Sequence, residues 1–198
     1  MKRKPTDDIR GEILAVAEKC FGATGFRGTS INTVAAATRY TKPVLYYHFG
    51  SKAGLFNALL EGAHDECFAL VVNAAGKSGR LEDQLVDILA ELFDFLRDRQ
   101  AIIRLAFATA FATEKERPLV LAHDERRKRY FRFMRKLVVA GLERGELNPA
   151  HSIHALTSGI YGALYFHLMA SALFPGTKLN RKTATEIVTL YLNGARKQ

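Results

Sequence analysis

The segment between Thr41 and Lys52 collects side chains that bind anions and nucleic-acid bases. It reads TKPVLYYHFGSK and contains two lysines, two adjacent tyrosines and one histidine. An ammonium group can reach phosphates or guanine acceptors, and hydroxyl and imidazole groups donate hydrogen bonds to phosphate. Grouped on one surface, these side chains indicate contact with a polyanion such as DNA. The alternative is a surface helix whose tyrosines pack on neighbours and whose charges are only solvated.

Two short helices would position these side chains. The pattern of the sequence predicts one helix over 30–38 and another from residue 42 to about 48, with Pro43 in its first turn, where a missing N–H does no harm. Leu45 and Phe49, spaced i and i+4, would anchor one side of the second helix and leave its other side free. This arrangement is typical of a helix-turn-helix motif, whose second helix enters the major groove of DNA.

The motif assigns two kinds of contact. We expect bases to be read by three side chains on the two helices, which are Asn32, Lys42 and Val44. We expect phosphates to be bound by hydrogen-bond donors on the exposed face, or at helix starts where free N–H groups favour an anion. These residues are Thr29, Ser30, Tyr47, His48 and Lys52.

The same two segments resemble a known family. TSINTVA at 29–35, followed by TKPVLYYHFGSK at 41–52, is similar to the DNA-binding segment of the TetR family of bacterial transcriptional regulators. The order Leu-Tyr-Tyr-His-Phe, with Ser-Lys opening the next helix, is the most specific part of this resemblance. It implies that ten residues lie close to DNA: Thr29, Ser30, Asn32, Lys42, Pro43, Val44, Tyr46, Tyr47, His48 and Lys52.

The turn between the two helices departs from the family pattern. Where the family usually has Ala-Gly-Val, this chain has Thr38, Arg39 and Tyr40. An arginine therefore stands where a glycine would adopt positive φ without strain. We expect either a rebuilt turn or a strained Arg39, which could also contact the DNA backbone.

The charge distribution favours the same partner. The chain of 198 residues has 29 Lys and Arg against 20 Asp and Glu, which gives a net charge of +9. Residues 1–52 alone contain 9 basic and 4 acidic side chains, and a basic region of this kind attracts nucleic acid. Lys2, Arg3 and Lys4 would form either a minor-groove arm or a disordered tail.

Other compositional features concern location. Cys20 and Cys67 are isolated and fall in the apolar phase of their helices, which indicates core positions rather than a disulfide or zinc site. The start MKRKPTDD has no apolar segment behind it and does not resemble a signal peptide. The stretch 147–177 lacks charged residues, so a membrane span is one interpretation and a helix buried in an oligomer is the other. We expect a cytoplasmic protein without a membrane segment.

The periodicity predicts an all-α fold of about nine helices. We expect a helix-turn-helix domain over 1–52 and a helical effector-binding and dimerisation domain over 53–198. Small and apolar residues of the last two helices would form a homodimer interface, unless both helices only complete the core of a monomer. The interface candidates are Ala155, Gly159, Gly162, Ala163, Ile187, Leu190, Tyr191 and Gly194.

Aromatic residues in the middle helices suggest a site for an apolar or aromatic effector, although each could equally fill the core. The candidates are Phe93, Arg104, Phe107, Phe111, Tyr130, Phe133, Met134, Tyr161 and Tyr165. Arg104 would need an acidic partner if buried, and otherwise would extend to solvent. The basic run RRKRYFRFMRK at 126–136 indicates either a solvated helix face or an accessory polyanion site.

The expected function is ligand-responsive transcriptional regulation. A homodimer would bind a palindromic operator in double-stranded DNA as a repressor, and a small-molecule effector would release it. The alternative is a ligand-blind or architectural helix-turn-helix protein. The sequence contains no nucleophile elbow, phosphate-binding glycine loop or metal motif, so we expect no enzymatic activity, no cofactor and no metal. His151 and His154 lack further ligands nearby.

Overall fold

Helices form all the regular secondary structure that the computed structural model describes, which covers residues 5–76, 79–112, 121–174 and 176–195. The all-α prediction is therefore confirmed. In chain order the nine helices of these ranges are α1 Pro5–Gly28, α2 Ile31–Ala37, α3 Lys42–Phe49, α4 Lys52–Ala75, α5 Leu81–Arg97, α6 Gln100–Phe111, α7 Leu121–Glu143, α8 Ile153–Leu173 and α9 Arg181–Ala195.

Side-chain caps explain several helix starts. Ser30 accepts a hydrogen bond from the Thr33 N–H at 3.0 Å, and Ser152 accepts one from the Ala155 N–H at 3.1 Å. Ser51 does the same for α4 through the Gly54 N–H at 2.9 Å. Such caps satisfy backbone donors that have no partner inside the helix.

The chain divides into two compact units. One contains Met1–His64 and Ala101–Leu121, and the other contains Asp65–Gln100 and Ala122–Gln198. The boundary between these packing units lies within α4, because the first half of α4 packs into the same core as α1–α3. The expected division into functional domains at residue 52 stays a prediction.

The core of the first unit places α3 on a rigid support. Ile13, Ala17 and Phe21 of α1 are fully buried and contact side chains from the other helices of the unit. The Phe56 ring of α4 makes an edge contact with the Phe21 ring, with their centroids 5.0 Å apart. Burial of such aromatic pairs stabilises the packing of α4 against α1.

The core of the second unit combines aliphatic side chains of α5, α7, α8 and α9, with α5 packed along α9. Polar contacts fix its helix ends. The Leu81 N–H at the start of α5 donates to Glu146 Oε2 at 2.6 Å. The Asn148 N–H donates to the Ala195 carbonyl at the end of α9 at 2.8 Å. Arg181 of α9 donates to Asp87 Oδ1 of α5 at 2.6 Å.

Candidate nucleic-acid interface

The two sides of α3 differ sharply. Leu45 is fully buried and Phe49 is 9% exposed, so both anchor α3 in the core as predicted. On the other side Tyr47 is 83% exposed and Tyr46 is 42% exposed. Lys42 is exposed as well. An amphipathic helix that presents donors to solvent in this way can bind a polyanion without rearranging its core.

The remaining expected contact residues of α3 lie close to this face. Pro43 is exposed in the first turn, while Val44 and His48 are half-buried. The His48 ring makes an edge contact with Tyr47, with centroids 5.2 Å apart. The Lys42 ammonium lies 5.8 Å from the centroid of the Tyr46 ring, one helical turn along. The exposed face thus brings Lys42, Tyr46, Tyr47 and His48 together.

The start of α2 presents a smaller polar surface. Ser30 and Asn32 are exposed, and the Ser30 hydroxyl also lies 2.8 Å from the Thr33 hydroxyl. These groups sit in the first turn of α2, where the backbone N–H groups favour an anion. Their position agrees with a phosphate contact for Ser30.

Thr29 is bonded within the chain. It is only 2% exposed. Its hydroxyl donates towards the carbonyls of Gly25 at 2.8 Å and Cys20 at 3.2 Å. It also lies 2.9 Å from the Thr24 hydroxyl. Thr29 is therefore part of the connection between α1 and α2; its expected phosphate contact stays a prediction, and these internal contacts compete with it.

Lys52 also has partners within the chain. Its ammonium group donates to the carbonyls of Phe26 at 3.0 Å and Thr29 at 3.1 Å, and it lies 4.4 Å from the centroid of the Phe26 ring. The side chain is half-buried. The expected phosphate contact of Lys52 stays a prediction, and these internal contacts compete with it.

The unusual turn before α3 is held by its own side chains. The Thr38 hydroxyl donates to the Ala35 carbonyl at 3.1 Å and accepts from the Tyr40 N–H at 3.1 Å. Arg39 donates to Glu12 Oε1 of α1 at 2.7 Å, and the Tyr40 hydroxyl donates to Glu12 Oε2 at 2.8 Å. A hydrogen bond with Tyr40 and the charge of Glu12 raise the pKa of Arg39 above its ordinary value.

These contacts show how the turn is rebuilt without the usual glycine. Thr38 has extended backbone angles, φ −108° and ψ 172°, and ends α2. Glu12 then joins the two following side chains to α1, so the turn is tied to the core helix instead of depending on glycine alone. Arg39 itself is exposed.

The predicted dimer residues divide into two groups. Ala155, Gly159, Gly162 and Gly194 are exposed, and Leu190 is 78% exposed. The half-buried position of Ala163 places it at the edge of this group.

Two residues of α9 are instead occupied within the chain. Ile187 is only 7% exposed and packs in the core of the second unit, and its expected place in the interface stays a prediction. The Tyr191 hydroxyl donates to the Leu156 carbonyl at 2.9 Å, and burial raises the pKa of Tyr191 to about 12. A Cβ added at Gly159 would lie 3.3 Å from the Tyr191 ring, so this glycine gives the ring room.

The exposed side of α8 shows a regular apolar stripe that extends the predicted set. Its members are spaced alternately by four and three residues and are Ala155, Gly159, Gly162, Phe166, Met169 and Leu173. This is the spacing by which two helices pair along a seam. Phe166 is 57% exposed and Leu173 is 62% exposed. The stripe contains no charged residue. The alternating spacing was visible in the sequence but was not used there.

The predicted effector residues do not form one group. Phe93 and Met134 are at most 2% exposed in the core of the second unit, and their expected effector role stays a prediction. Arg104 is exposed on α6 and extends to solvent, one of the two expected outcomes. The rings of Phe107 and Phe111 stack with centroids 6.3 Å apart, although Phe111 is 76% exposed.

Aromatic contacts bring the other candidates together in the second unit. Tyr130 and Phe133 of α7 both make edge contacts with Phe68 of α4, with centroids 5.2 and 5.8 Å apart. Tyr161 and Tyr165 of α8 lie 4.8 Å apart between centroids. Phe131 of α7 makes an edge contact with Tyr161 at 5.8 Å. Phe68 and Phe131 were not predicted.

A polar network borders these rings. The guanidinium of Arg129 lies 4.0 Å from the centroid of the Phe68 ring and donates to Asp65 Oδ1 at 2.7 Å. Partial burial opposes ionisation of Asp65, but hydrogen bonds from Arg129 and Arg126 outweigh it and lower the pKa of this carboxyl.

Burial raises the pKa of the Cys67 thiol to about 11 and also raises the pKa of Tyr130. Cys67 is therefore a protonated core thiol at neutral pH.

Some expectations fall outside the described ranges or find no support within them. Lys2, Arg3 and Lys4 lie outside the described residues, as does the side chain of Arg127 in the basic run. Among the described helices, none is both long and apolar enough to cross a bilayer. The described residues also contain no cluster of three or more side chains suited to hold a metal ion.

A face of exposed donors on a short helix, supported by a second helix and a buried core, defines a helix-turn-helix DNA-binding protein. Residues 13–59 match the family described as bacterial regulatory proteins, tetR family. The resemblance predicted from TSINTVA and TKPVLYYHFGSK is thereby confirmed for the helix-turn-helix segment of this chain.

Individual relatives agree with this assignment. The chain is 30% identical over 114 residues to the HTH-type transcriptional activator FasR of Mycolicibacterium smegmatis, covering 58% of this chain and 52% of FasR. It is 25% identical over 142 residues to the HTH-type transcriptional repressor KstR2 of Mycobacterium tuberculosis, covering 71% of this chain and 70% of KstR2. The match thus spans only about half the length of FasR.

The fold is shared with a solved regulator over nearly the whole chain. The crystal structure of FadR from Bacillus subtilis in complex with stearoyl-CoA superposes with a TM-score of 0.81 at 12% identity, covering 94% of this chain and 99% of that one. At this identity the likeness concerns the fold.

Proposed function

We propose that this protein is a ligand-responsive transcriptional repressor that binds a palindromic operator as a homodimer. The observation that carries the proposal is the polar, exposed side of α3, whose opposite side is anchored by Leu45 and Phe49. The match of residues 13–59 to the tetR family of bacterial regulatory proteins supports a role in transcription. Relatives include both an activator and a repressor by name, and steric exclusion from a promoter is the simplest action of a DNA-bound dimer.

The DNA contacts follow from exposure. Lys42 and Val44 near the start of α3, together with Asn32, are proposed to read base edges in the major groove. The proposed phosphate contacts come from the remaining exposed or half-buried donors of the two helices, which are Ser30, Tyr47 and His48. Pro43 and Tyr46 are proposed to lie close to the DNA backbone. Each phosphate contact fixes the position of α3 without reading sequence.

Dimer formation is proposed through the α8 stripe and the exposed part of α9. Exposing the uncharged apolar stripe of α8 to water is energetically unfavourable, which favours a partner that covers it. The small residues of the stripe permit close approach of a second helix. Cβ atoms added at Gly162 and Gly194 would meet nothing within 4 Å in the same chain, which leaves room for a partner. A second copy would place two α3 helices for two half-sites about 34 Å apart.

The effector is proposed to be an apolar or aromatic small molecule bound among the aromatic side chains of the second unit, near Tyr130, Phe133, Tyr161 and Tyr165. The FadR neighbour is described in complex with stearoyl-CoA, and KstR2 is described as a ketosteroid transcriptional regulator. Both descriptions agree with a largely apolar effector. An effector that prefers another placement of α4 would shift α3 with it, because α4 begins directly after α3.

Selection from random duplex DNA tests the DNA-binding part. The wild-type protein is expected to enrich a palindromic motif. Lys42→Ala and Tyr47→Ala are expected to weaken binding to that motif by about tenfold each, the loss of one charged or hydroxyl contact. Lys178→Ala serves as the control because it removes an exposed lysine between α8 and α9, outside the proposed DNA contacts, and should leave binding unchanged.

Two outcomes would contradict the proposal in different ways. Duplex binding without any enriched motif would favour an architectural protein. Enrichment of a motif that neither stearoyl-CoA nor a panel of apolar aromatic compounds releases would favour a ligand-blind regulator. Coenzyme A without an acyl chain is the control for the ligand titration.

A further inference from the structure

Three helices of the first unit meet at the ammonium group of Lys52, the first residue of α4. The Phe26 carbonyl at the end of α1 lies 3.0 Å from Nζ, and the Thr29 carbonyl before α2 lies 3.1 Å from it. The last carbonyls of a helix have no partner inside the helix and attract a cation. Lys52 therefore joins α4 to the end of α1 and to the start of α2. We call Phe26, Thr29 and Lys52 the junction.

The end of α1 is shaped for this contact. Gly25 has φ 70° and ψ 180°, so the helical path breaks there and the following backbone turns away. Positive φ of this kind is easily adopted only by glycine. The Phe26 ring packs against Phe21 and Phe56 of the core, and its face lies 4.4 Å from the Lys52 ammonium. The cation thus has two carbonyl acceptors and one aromatic face.

Thr29 connects the junction to α2. Its hydroxyl is bonded to α1 carbonyls, its own carbonyl accepts from Lys52, and the next residue, Ser30, is the N-cap of α2. The start of α2 is consequently fixed on two sides, by α1 through the hydroxyl and by α4 through the carbonyl.

The first turn of α4 also touches the end of α3. A Cβ added at Gly54 would overlap the Phe49 carbonyl oxygen, so only glycine allows this approach. The first three residues of α4 therefore contact the segment before α2, through Lys52 and the Thr29 carbonyl, and the end of α3, through Gly54. A displacement of α4 must move or break these contacts.

We propose that Lys52 is a positioning residue: its ammonium couples α4 to the α1–α2 connection that supports α3, and it does not act as a phosphate ligand. This rests on the proposed DNA-binding function and assigns Lys52 a role within it. Two of the three ammonium N–H groups donate to carbonyls in charge-assisted hydrogen bonds, which are stronger than neutral ones, and the Phe26 ring lies against the same cation. A phosphate would therefore have to compete with these partners for the ammonium. The junction holds α2 in place both in the free protein and on DNA.

The test compares three variants of the full-length protein. Lys52→Met keeps the length of the side chain and removes the ammonium. Thr29→Val removes the hydroxyl at a position that is 2% exposed. Lys42→Met removes an exposed lysine of α3 and serves as the matched control for a lost contact.

Amide hydrogen exchange of the free protein provides the first readout. Lys52→Met and Thr29→Val are each expected to speed exchange of the α2 and α3 amides by about tenfold, the effect of losing one hydrogen bond that limits local opening. Lys42→Met should leave these rates unchanged. Unchanged exchange in both junction variants overturns the proposal.

Binding to a duplex that lacks the operator provides the second readout. The slope of log K against log salt concentration falls by about 0.9 for each lost phosphate contact. Lys52→Met is expected to keep the wild-type slope while its affinity for the selected operator falls about tenfold, in line with the faster local opening. Thr29→Val should follow the same pattern. A slope reduced by Lys52→Met would identify a phosphate ligand and overturn the proposal.

Failure of the junction and failure of the proposed function give different results. If the wild-type protein enriches no motif from random DNA, the proposed function fails, and the exchange measurement still decides the role of the junction. If Lys52→Met lowers only the melting temperature while exchange of α2 and α3 and operator affinity equal the wild-type values, Lys52 is merely structural and the proposal is overturned.

Discussion

The outward sides of α3 and α8 are opposite in chemistry although both belong to helices that are firmly packed on their inner sides. The outward side of α3 carries a lysine and two tyrosines, and a histidine borders it. The outward side of α8 carries alanine, glycine, phenylalanine and leucine and no charge. Water solvates the first surface well, whereas the second leaves large apolar side chains such as Phe166 and Leu173 exposed.

This difference indicates two kinds of partner. A solvated surface of donors can remain uncovered in the free protein and bind a polyanion when one is present. An apolar stripe with helical-seam spacing is stable only when it is covered, which favours a permanent second copy. The same chain would thus pair through one surface and bind DNA reversibly through the other, and substitutions can separate the two roles.

The largest effect is expected from disrupting the apolar side. Gly162→Arg places a long cation on the α8 stripe, and Leu190→Glu places a charge on the exposed part of α9. Each should convert the dimer to a monomer in sedimentation experiments. Operator affinity should fall by about 100-fold or more because two linked half-sites no longer act together.

The control for these variants is Gly79→Arg, which adds the same charge to an exposed residue between α4 and α5 with open space around it. It should remain dimeric. Gly162→Arg protein that sediments as a dimer at micromolar concentration would show that α8 does not form the interface.

The two surfaces were not equally predictable from the sequence. Contacts of α3 follow from spacing over a few residues, so the exposed positions of Lys42, Tyr46 and Tyr47 and the burial of Leu45 and Phe49 agree with the prediction. The burial of Thr29 was not predictable because it depends on contacts with carbonyls of α1, which no local pattern reveals.

Distant packing decides the remaining sites. Phe93, Met134 and Ile187 look like any other apolar residues of their helices, and only the arrangement of α5, α7 and α9 buries them. Phe68 lies next to Cys67 on α4. Its ring contacts with Tyr130 and Phe133 depend on the position of α7, which the local sequence does not determine. The overall helix pattern was predictable because amphipathic periodicity and Ser caps act locally.

The next largest effect is expected at the point where α4 meets α3. Gly54→Ala places a methyl group on the Phe49 carbonyl and should lower the free energy of unfolding by about 2 kcal/mol, as overpacking does. It should also weaken operator binding because α3 must shift. Urea unfolding and operator titration measure the two effects.

Gly62→Ala is the matched control in the same helix, since a Cβ there meets nothing within 4 Å. Because alanine favours helix over glycine, this variant should raise the free energy of unfolding by up to about 1 kcal/mol. If Gly54→Ala and Gly62→Ala gave equal free energies of unfolding and equal operator affinities, the close approach of Gly54 to Phe49 would not be required for stability or DNA binding.

The smallest effects come from two tyrosine hydroxyl groups, one on each side of the comparison. Tyr47→Phe removes an exposed hydroxyl of α3 and should weaken operator binding by about 1 kcal/mol without changing stability. Tyr191→Phe removes the hydrogen bond to the Leu156 carbonyl and should lower the free energy of unfolding by about 1 kcal/mol without changing DNA binding in the folded dimer.

The Tyr191 hydroxyl also makes the stability of the fold depend on alkaline pH. Burial raises the pKa of Tyr191 in the folded protein to about 12, above the value of about 10 in the unfolded chain. The protonated hydroxyl therefore stabilises the fold fully below pH 10, and this contribution is lost as the pH rises from about 10 to 12. Tyr191→Phe should flatten that part of the stability curve. If Tyr191→Phe and the wild type had the same dependence of stability on pH between about 10 and 12, the Tyr191 hydroxyl would not couple α9 to α8.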